Sequence, residues 1–216
     1  MDITILLSDP MHPIAPHLQD WATGIEGIGH SVSILNKKNQ LVGGTILFLV
    51  SCSEIISEED RRKFNTTLVL HASNLPQGRG WSPYIWAILG GSSEITVCAL
   101  EASEPVDTGR VWLRKSFSLQ GHELLPEINE KLFAVELELM SAVVQDYGNI
   151  TPQPQSGDPG PYLRRRTPAD SRLNPEQSIA EQFDLLRVTD PERFPAFFEY
   201  RGQRYILRIE KATHDQ

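Results

Sequence analysis

The chain has 216 residues, 40% of them apolar and 22% charged, with a formal net charge of −8. That composition excludes the low-hydrophobicity, high-charge regime of disordered chains, and the acidic balance argues against a broad nucleic-acid surface, which needs Lys and Arg to neutralise phosphates. Cys52 and Cys98 have no CxxC spacing and support neither a disulfide framework nor a cysteine zinc site, and no run resembles a signal peptide or a membrane span, so the expectation is a cytoplasmic protein with no membrane partner.

Ile3 to Leu7 reads as a buried strand that breaks at Ser8-Asp9-Pro10. Trp21 to Gly29 is weakly helical and ends in glycine, which leaves His30 to Leu35 as a second strand before a polar connection. Thr45 to Val50 is almost unbroken in apolar residues, the pattern of a parallel strand covered on both faces. Ser57-Glu58-Glu59-Asp60 offers an N-cap and an acidic first turn for a helix that takes in Arg61 to Phe64. Thr66 to Leu70 is the next strand. Pro83 suits the first turn of a helix that runs through Trp86 to Leu89 and stops at Gly90-Gly91. Glu94 to Ala99 is a strand, Ser103 to Gly109 a turn-rich loop and Arg110 to Ser118 another strand. Leu124, Leu125, Ile128, Leu132, Val135, Leu139 and Val143 fall at helical spacing and make the longest helix in the chain.

From Tyr147 to Pro161 proline, glycine, glutamine and serine dominate, as in a linker or an irregular crossing segment. A helix from about Pro175 to Arg187 and a hairpin of "FPAFFEY" and "QRYILRI" around Arg201-Gly202 follow. The expected division is a catalytic α/β domain over 1–150 and a linker with a small α+β substrate-binding or dimerisation unit over 151–216, in which Phe197-Phe198 could form a homodimer surface.

Chemistry concentrates in "LHASNLPQGRGWSP", Leu70 to Pro83. A lone histidine is more often structural than catalytic, but His71 stands at the carboxyl end of a central strand, where open α/β sheets bind ligands. Asp107, in "SEPVDTGRV", taken alone reads as a turn residue. The loops that carry the two follow neighbouring strands, so they can pair, and a carboxylate beside an imidazole fixes its tautomer and favours its charged form.

"LHASNLPQGRGWSPYIWAILGG" followed by "VDTGRV" resembles the core of the formyltransferases that use 10-formyltetrahydrofolate: Asn-x-His-x-Ser-Leu-Leu-Pro, then Arg-Gly and proline, then Asp-x-Gly. His71, Ser73, Leu75-Pro76, Arg79-Gly80, Pro83, Asp107 and Gly109 match. The resemblance implies a Rossmann-like formyltransferase sheet with helices on both faces and N10-formyltetrahydrofolate as co-substrate; from the spacing of the histidines no metal is expected. It departs at the family's catalytic asparagine, whose position is Val69, while Asn74 replaces the first leucine of Leu-Leu-Pro. Either Asn74 reaches back to supply the amide, or His71 and Asp107 act alone, or activity has been lost; the expected catalytic set is His71, Asp107 and Asn74. In the implied reaction an amine attacks the formyl carbon, and an N–H aimed at the resulting oxyanion stabilises it. The implied folate contacts are Ser51, Cys52, Ser53 and Ile55 after the third strand, Leu75, and Glu104 and Val106.

For the acceptor, "SDPMHPIAP" is not the glycine-rich phosphate loop of the purine-pathway members, and where the methionyl-tRNA members carry a further basic domain for tRNA, this acidic chain is expected to have little grip on a large RNA. "YLRRRTPADSRLNP" and "FPAFFEYRGQRYILRI" are similar to segments of formyltransferases acting on nucleotide-linked 4-amino sugars in surface-polysaccharide synthesis. The expectation is such a sugar, a UDP-linked altrosamine derivative of pseudaminic-acid type pathways among the candidates. Another amine acceptor such as an aminoacyl carrier, or a silent folate or nucleotide-sugar binder, stays open. Arg164, Arg165 and Arg166 would take the diphosphate by guanidinium forks, and Arg79, Trp81 and Tyr84 complete the expected substrate contacts. His12, His17, His30, His122 and His214 show no metal-ligand spacing.

Overall fold

The computed structural model describes residues 1–212, so His214 lies outside the described residues. The elements are β1 (Asp2–Leu6), α1 (Ala15–Glu26), β2 (Ser31–Leu35), β3 (Gly44–Leu49), α2 (Glu58–Arg61), β4 (Phe64–His71), α3 (Pro83–Leu89), β5 (Glu94–Glu101), β6 (Val111–Ser118), α4 (Leu125–Gln145), α5 (Phe183–Arg187), β7 (Ala196–Tyr200) and β8 (Gln203–Leu207). Strands β1 to β6 form one sheet in the order β2-β1-β3-β4-β5-β6. The first four are parallel, whereas β5 runs antiparallel to β4 and β6 to β5.

Period-two alternation divides the core. Ile3, Ile5, Phe48, Leu68, Leu70, Val97 and Ala99 face α1 and α4, which meet them with Leu18, Ile25, Leu132, Leu139 and Val143. On the other face Leu6, Leu47, Leu49 and Phe64 pack under Leu41 and Ile56, beside the single turn of α2. Leu75 covers Cys98, Leu100 and Val111 on that face. Both faces of β3 are therefore dry, which is why its sequence is continuously apolar.

Three elements differ from the sequence expectation. Helix α1 starts at Ala15, with Pro16 in its first turn, well before Trp21. Helix α2 ends at Arg61; Phe64, expected inside it, starts β4 opposite Gly44, because its ring is needed in the core. Of the helix expected over Pro175 to Arg187 only α5 forms. The Gln182 amide bonds Asn174 at both its N–H (2.6 Å) and its C=O (3.0 Å), closing a loop where a helix would need those groups free.

The hairpin β7–β8 turns on Arg201 (φ 50°) and Gly202 (φ 78°), the pair of left-handed residues that a tight type I′ turn demands. Phe197, expected at a dimer surface, is 8% exposed, and Phe198 stacks on Tyr205 at 5.4 Å. The large apolar side chains that the hairpin exposes are Tyr200, Tyr205 and Ile206. Among the described residues no helix is long and apolar enough to cross a membrane.

Candidate active site

The order β2-β1-β3 places a topological switch point between β1 and β3, and the loops that follow these strands frame the crevice where such sheets bind ligands. Those loops are tied together. Ser8 Oγ accepts the Ser53 N–H at 2.9 Å, and Ser51, in a left-handed conformation (φ 45°), places its hydroxyl 3.3 Å from His12 Nε2. Cys52 is half-buried beside Ser8, and burial pushes its thiol up, so it is a packing group rather than a nucleophile.

His71 ends β4 and lies on the same side of the strand as Val69, away from α1 and α4. Its side chain is 8% exposed. The loop behind it curls back through Gly78 (φ 75°) and Gly80 (φ 112°), conformations that only glycine adopts without strain. The curl brings the Gly78 carbonyl to 2.9 Å from His71 Nε2, and since a carbonyl only accepts, Nε2 carries the proton. His71 Nδ1 then faces Asp107 Oδ1 at 3.7 Å. That separation is too long for a hydrogen bond, and it attracts only while Nδ1 also carries a proton; catalytic contacts of this kind commonly tighten once substrate is bound.

Asp107 does not arrive by the simple route the sequence suggests. Because β5 is antiparallel, its carboxyl end at Glu101 lies opposite Leu68 rather than beside His71. The 102–110 loop has to fold back over the sheet, which Gly109 permits by close approach: a Cβ there would sit 1.9 Å from the Glu101 carbonyl oxygen. Asp107 takes φ 62°, and its Oδ2 accepts the Gly80 N–H at 2.9 Å, leaving Oδ1 for His71.

The proline-rich segment after α4 crosses this arrangement in extended form. Gln153 bridges Val111 with two bonds of 2.8 Å, Gln155 Nε2 donates to the carbonyls of Asp107 (2.9 Å) and Gly109 (2.8 Å), and Leu163 pairs with Arg79 and Trp81 on either side of Gly80. No sequence signal marks Gln155, because side-chain bonds to main chain leave no periodicity. Tyr162 lies near Asp107 and Arg79, and burial and the Asp107 charge both raise its hydroxyl.

The other expected site residues are dispersed. Asn74 is exposed and lines a cleft of about 380 Å³ with Gln77, Arg114 and Asp158, and among the described residues no hydrogen bond joins its side chain to His71 or Asp107. Ile55 and Val106 project into solvent, 66% and 42% exposed, from loops linked by Arg61, which donates to the Ile56 carbonyl at 2.7 Å and reaches Glu104 at 3.4 Å. Leu75 is buried at 2% exposure.

Among the arginines, Arg164 is held by Asp170 and lies over Trp86, and Arg166 donates to the Asp170 carbonyl and is half-buried. Arg165 lies over Trp81 at 4.9 Å with no ion pair among the described residues, and Arg79 keeps a buried Nε without a partner. Tyr84 is turned into the core, its hydroxyl donating to Asn129 at 3.1 Å, and burial drives its ionisation well above the usual phenol range.

With this geometry the chain can be set beside known proteins. The formyl transferase family profile matches residues 16–144. The methionyl-tRNA formyltransferase of Rickettsia massiliae (strain Mtu5) is 25% identical over 186 residues, 85% of this chain and 59% of that relative, so the chain spans less than two thirds of the length of such curated relatives. The structure of methionyl-tRNA formyltransferase from Clostridium thermocellum superposes with a TM-score of 0.82 at 22% identity, covering 100% of this chain and 95% of that one. A sugar N-formyltransferase from Shewanella sp FDAARGOS_354 superposes with a TM-score of 0.75 at 16% identity, covering 99% and 98%. With residues 16–144 matched out of 216, and this sheet beneath them, the chain belongs to the formyl transferase family.

Proposed function

We propose that the chain is an N-formyltransferase that moves the formyl group of N10-formyltetrahydrofolate to the amine of a nucleotide-linked 4-amino-4,6-dideoxy sugar. The observation that carries the reading is the His71–Asp107 pair, aligned by the Gly80 N–H at the folded-back loop. The acceptor amine attacks the formyl carbon, forming the new C–N bond while the oxygen takes the charge. Once its Nε2–H turns from the Gly78 carbonyl, His71 can meet that oxygen, while Asp107 faces Nδ1 and takes up the amine proton. The bond to folate N10 then breaks and the proton returns to that nitrogen. Ile55 and Val106, apolar and solvent-facing on two linked loops, suit a flat pteridine between them. Arg165 on Trp81, with Arg79 close to the reacting pair, suits a diphosphate better than Arg164 or Arg166, whose bonds to Asp170 already engage them.

A methionyl-tRNA formyltransferase and a sugar N-formyltransferase both superpose over nearly the whole of both chains, so the choice of a sugar rests on the charge of −8, which disfavours tRNA. A second reading, a binder without turnover, is favoured by Val69 in the asparagine position and by the bond from His71 Nε2 to Gly78. Release of tetrahydrofolate from 10-formyltetrahydrofolate against UDP- and dTDP-linked 4-amino sugars and methionyl-tRNA, beside His71→Ala and Asn74→Ala, separates these. Turnover on a sugar that falls about a hundredfold or more in His71→Ala supports the main reading. Asn74→Ala at wild-type rate removes that residue from the mechanism. Folate binding without turnover on any acceptor replaces the main reading with the second.

A further inference from the structure

We propose that Gln155 is a positioning residue for the His71–Asp107 pair, acting from the extended 151–163 segment; this rests on the pair being the proton-handling centre of the proposed reaction. Asp107 is gripped at two points. Its carboxylate is fixed by the Gly80 N–H, and its main-chain carbonyl is fixed, together with that of Gly109, by the two protons of the Gln155 amide at 2.9 and 2.8 Å. A planar NH₂ group has its two N–H bonds at a set angle, so bonding both carbonyls fixes the relative orientation of the Asp107–Thr108 and Gly109–Arg110 peptide planes. Those planes decide where the Asp107 side chain leaves the backbone, which sits at φ 62°, a conformation a non-glycine residue keeps only when its surroundings impose it.

The amide is itself anchored. Gln153, two residues earlier, is bridged to Val111 on β6, and Leu163, eight residues later, is bridged to Arg79 and Trp81 around the same Gly80 that donates to Asp107. The segment therefore ties the loop carrying Asp107 to the loop that closes on His71. Gly80 makes this possible, because a Cβ there would meet the Leu163 oxygen at 2.3 Å. Gln155 touches neither His71 nor any reacting atom, and its effect is to hold Oδ1 at the imidazole.

The test uses Gln155→Leu and Gln155→Glu in the full chain, with two readouts. In ligand-free protein, His71 is followed by the ¹⁵N and ¹³C signals of its imidazole; in turnover, kcat and KM are measured from pH 5.5 to 8.5. Gln155→Leu is expected to move the His71 signals while those of His17 and His30 stay, and to lower kcat about tenfold to a hundredfold with KM for folate nearly unchanged, the size expected when a reacting group is misplaced by an ångström or less. Gln155→Glu, ionised, turns oxygen toward two carbonyls and should be the slower variant at pH 8.5; protonated, it regains one donor, and its rate relative to Gln155→Leu should recover toward pH 5.5.

His71 signals at their wild-type positions in folded Gln155→Leu overturn the proposal, as does a Gln155→Glu profile parallel to that of Gln155→Leu. Should Gln155→Leu fail to fold, Gln155→Asn carries the test. It keeps the amide but is one methylene too short to reach both carbonyls, and unchanged His71 signals in it likewise overturn the proposal. Absence of turnover in the wild type would sink the proposed reaction, yet the imidazole signals would still decide whether Gln155 positions the pair.

Discussion

Glu136 stands in the middle of α4, 6% exposed, with neither an ion pair nor a hydrogen bond among the described residues. Burial pushes its carboxyl from an ordinary 4.5 up to about 8. Below pH 4.5 the group is protonated whether the chain is folded or not. Between 4.5 and about 8 the unfolded chain releases the proton while the folded chain keeps it, so each rise in pH draws the equilibrium toward unfolding. At 1.36 kcal/mol per pH unit the loss reaches at most roughly 5 kcal/mol by pH 8, a large share of a typical domain stability of about 5–15 kcal/mol.

Glu136→Gln keeps the shape and removes the titration. Urea unfolding of both proteins, followed by tryptophan fluorescence in half-unit steps from pH 4.5 to 8.5, should give nearly equal stabilities at the acid end. The variant should then gain steadily on the wild type up to about pH 8. Groups with the opposite slope cancel in the difference. Burial alone would raise the Glu123 carboxyl, but Lys131 and the Gln120 N–H outweigh it and hold it at about 2, so its contribution is lost only as pH falls below its ordinary value, and equally in both proteins. A difference that stays flat within about 1 kcal/mol from pH 5 to 8 would refute the reasoning, because it would mean that the carboxylate ionises in the fold without penalty.

Gly80→Ala places a Cβ on the Leu163 backbone at a residue with φ 112°, so the bridge has to open; strain of about 1–3 kcal/mol and two lost bonds of about 1 kcal/mol each give an expected loss of roughly 3–5 kcal/mol in urea unfolding, and a loss under about 1 kcal/mol would show that the bridge does not hold in solution. Asp107→Asn can keep the bond from Gly80 but removes the charge facing His71, so kcat should fall by about 10²–10⁴ with little change in KM; an unchanged kcat would remove Asp107 from the chemistry. In calorimetric titration with UDP, Arg165→Ala should weaken binding about tenfold or more, as for a charged hydrogen bond, whereas Arg164→Ala, which mainly frees Asp170, should change it little; the reverse order would move the diphosphate to the other arginine.

What the residues disclose in advance depends on whether a side chain answers to its own strand or to a distant backbone. Strands β1, β3 and β4 are legible because both their faces are dry, which forces near-continuous apolar runs, and α4 is legible because its stripe meets one face of the sheet at helical spacing. His71 and Asp107 stand out because turn glycines and prolines cluster around them. The direction of β5 is not legible: a strand reads alike in both senses, and the connection over 72–93, with α3 in it, is long enough for either direction. Phe197 and Phe198 look exposed in a hairpin repeat, yet Leu173 pairs along β7 and joins Leu186 and Ala196 in a small core of its own. The 151–163 segment misleads most. Proline, glycine and glutamine have the composition of a linker, but prolines also hold a chain extended, and an extended chain offers its glutamines one by one to carbonyls that no strand has paired. A bond from Gln155 to two such carbonyls satisfies the accounting that every buried backbone acceptor demands. The signature of such a segment is the unsatisfied backbone of the loops it crosses, a property that becomes readable only once β4, β5 and their loops are in place.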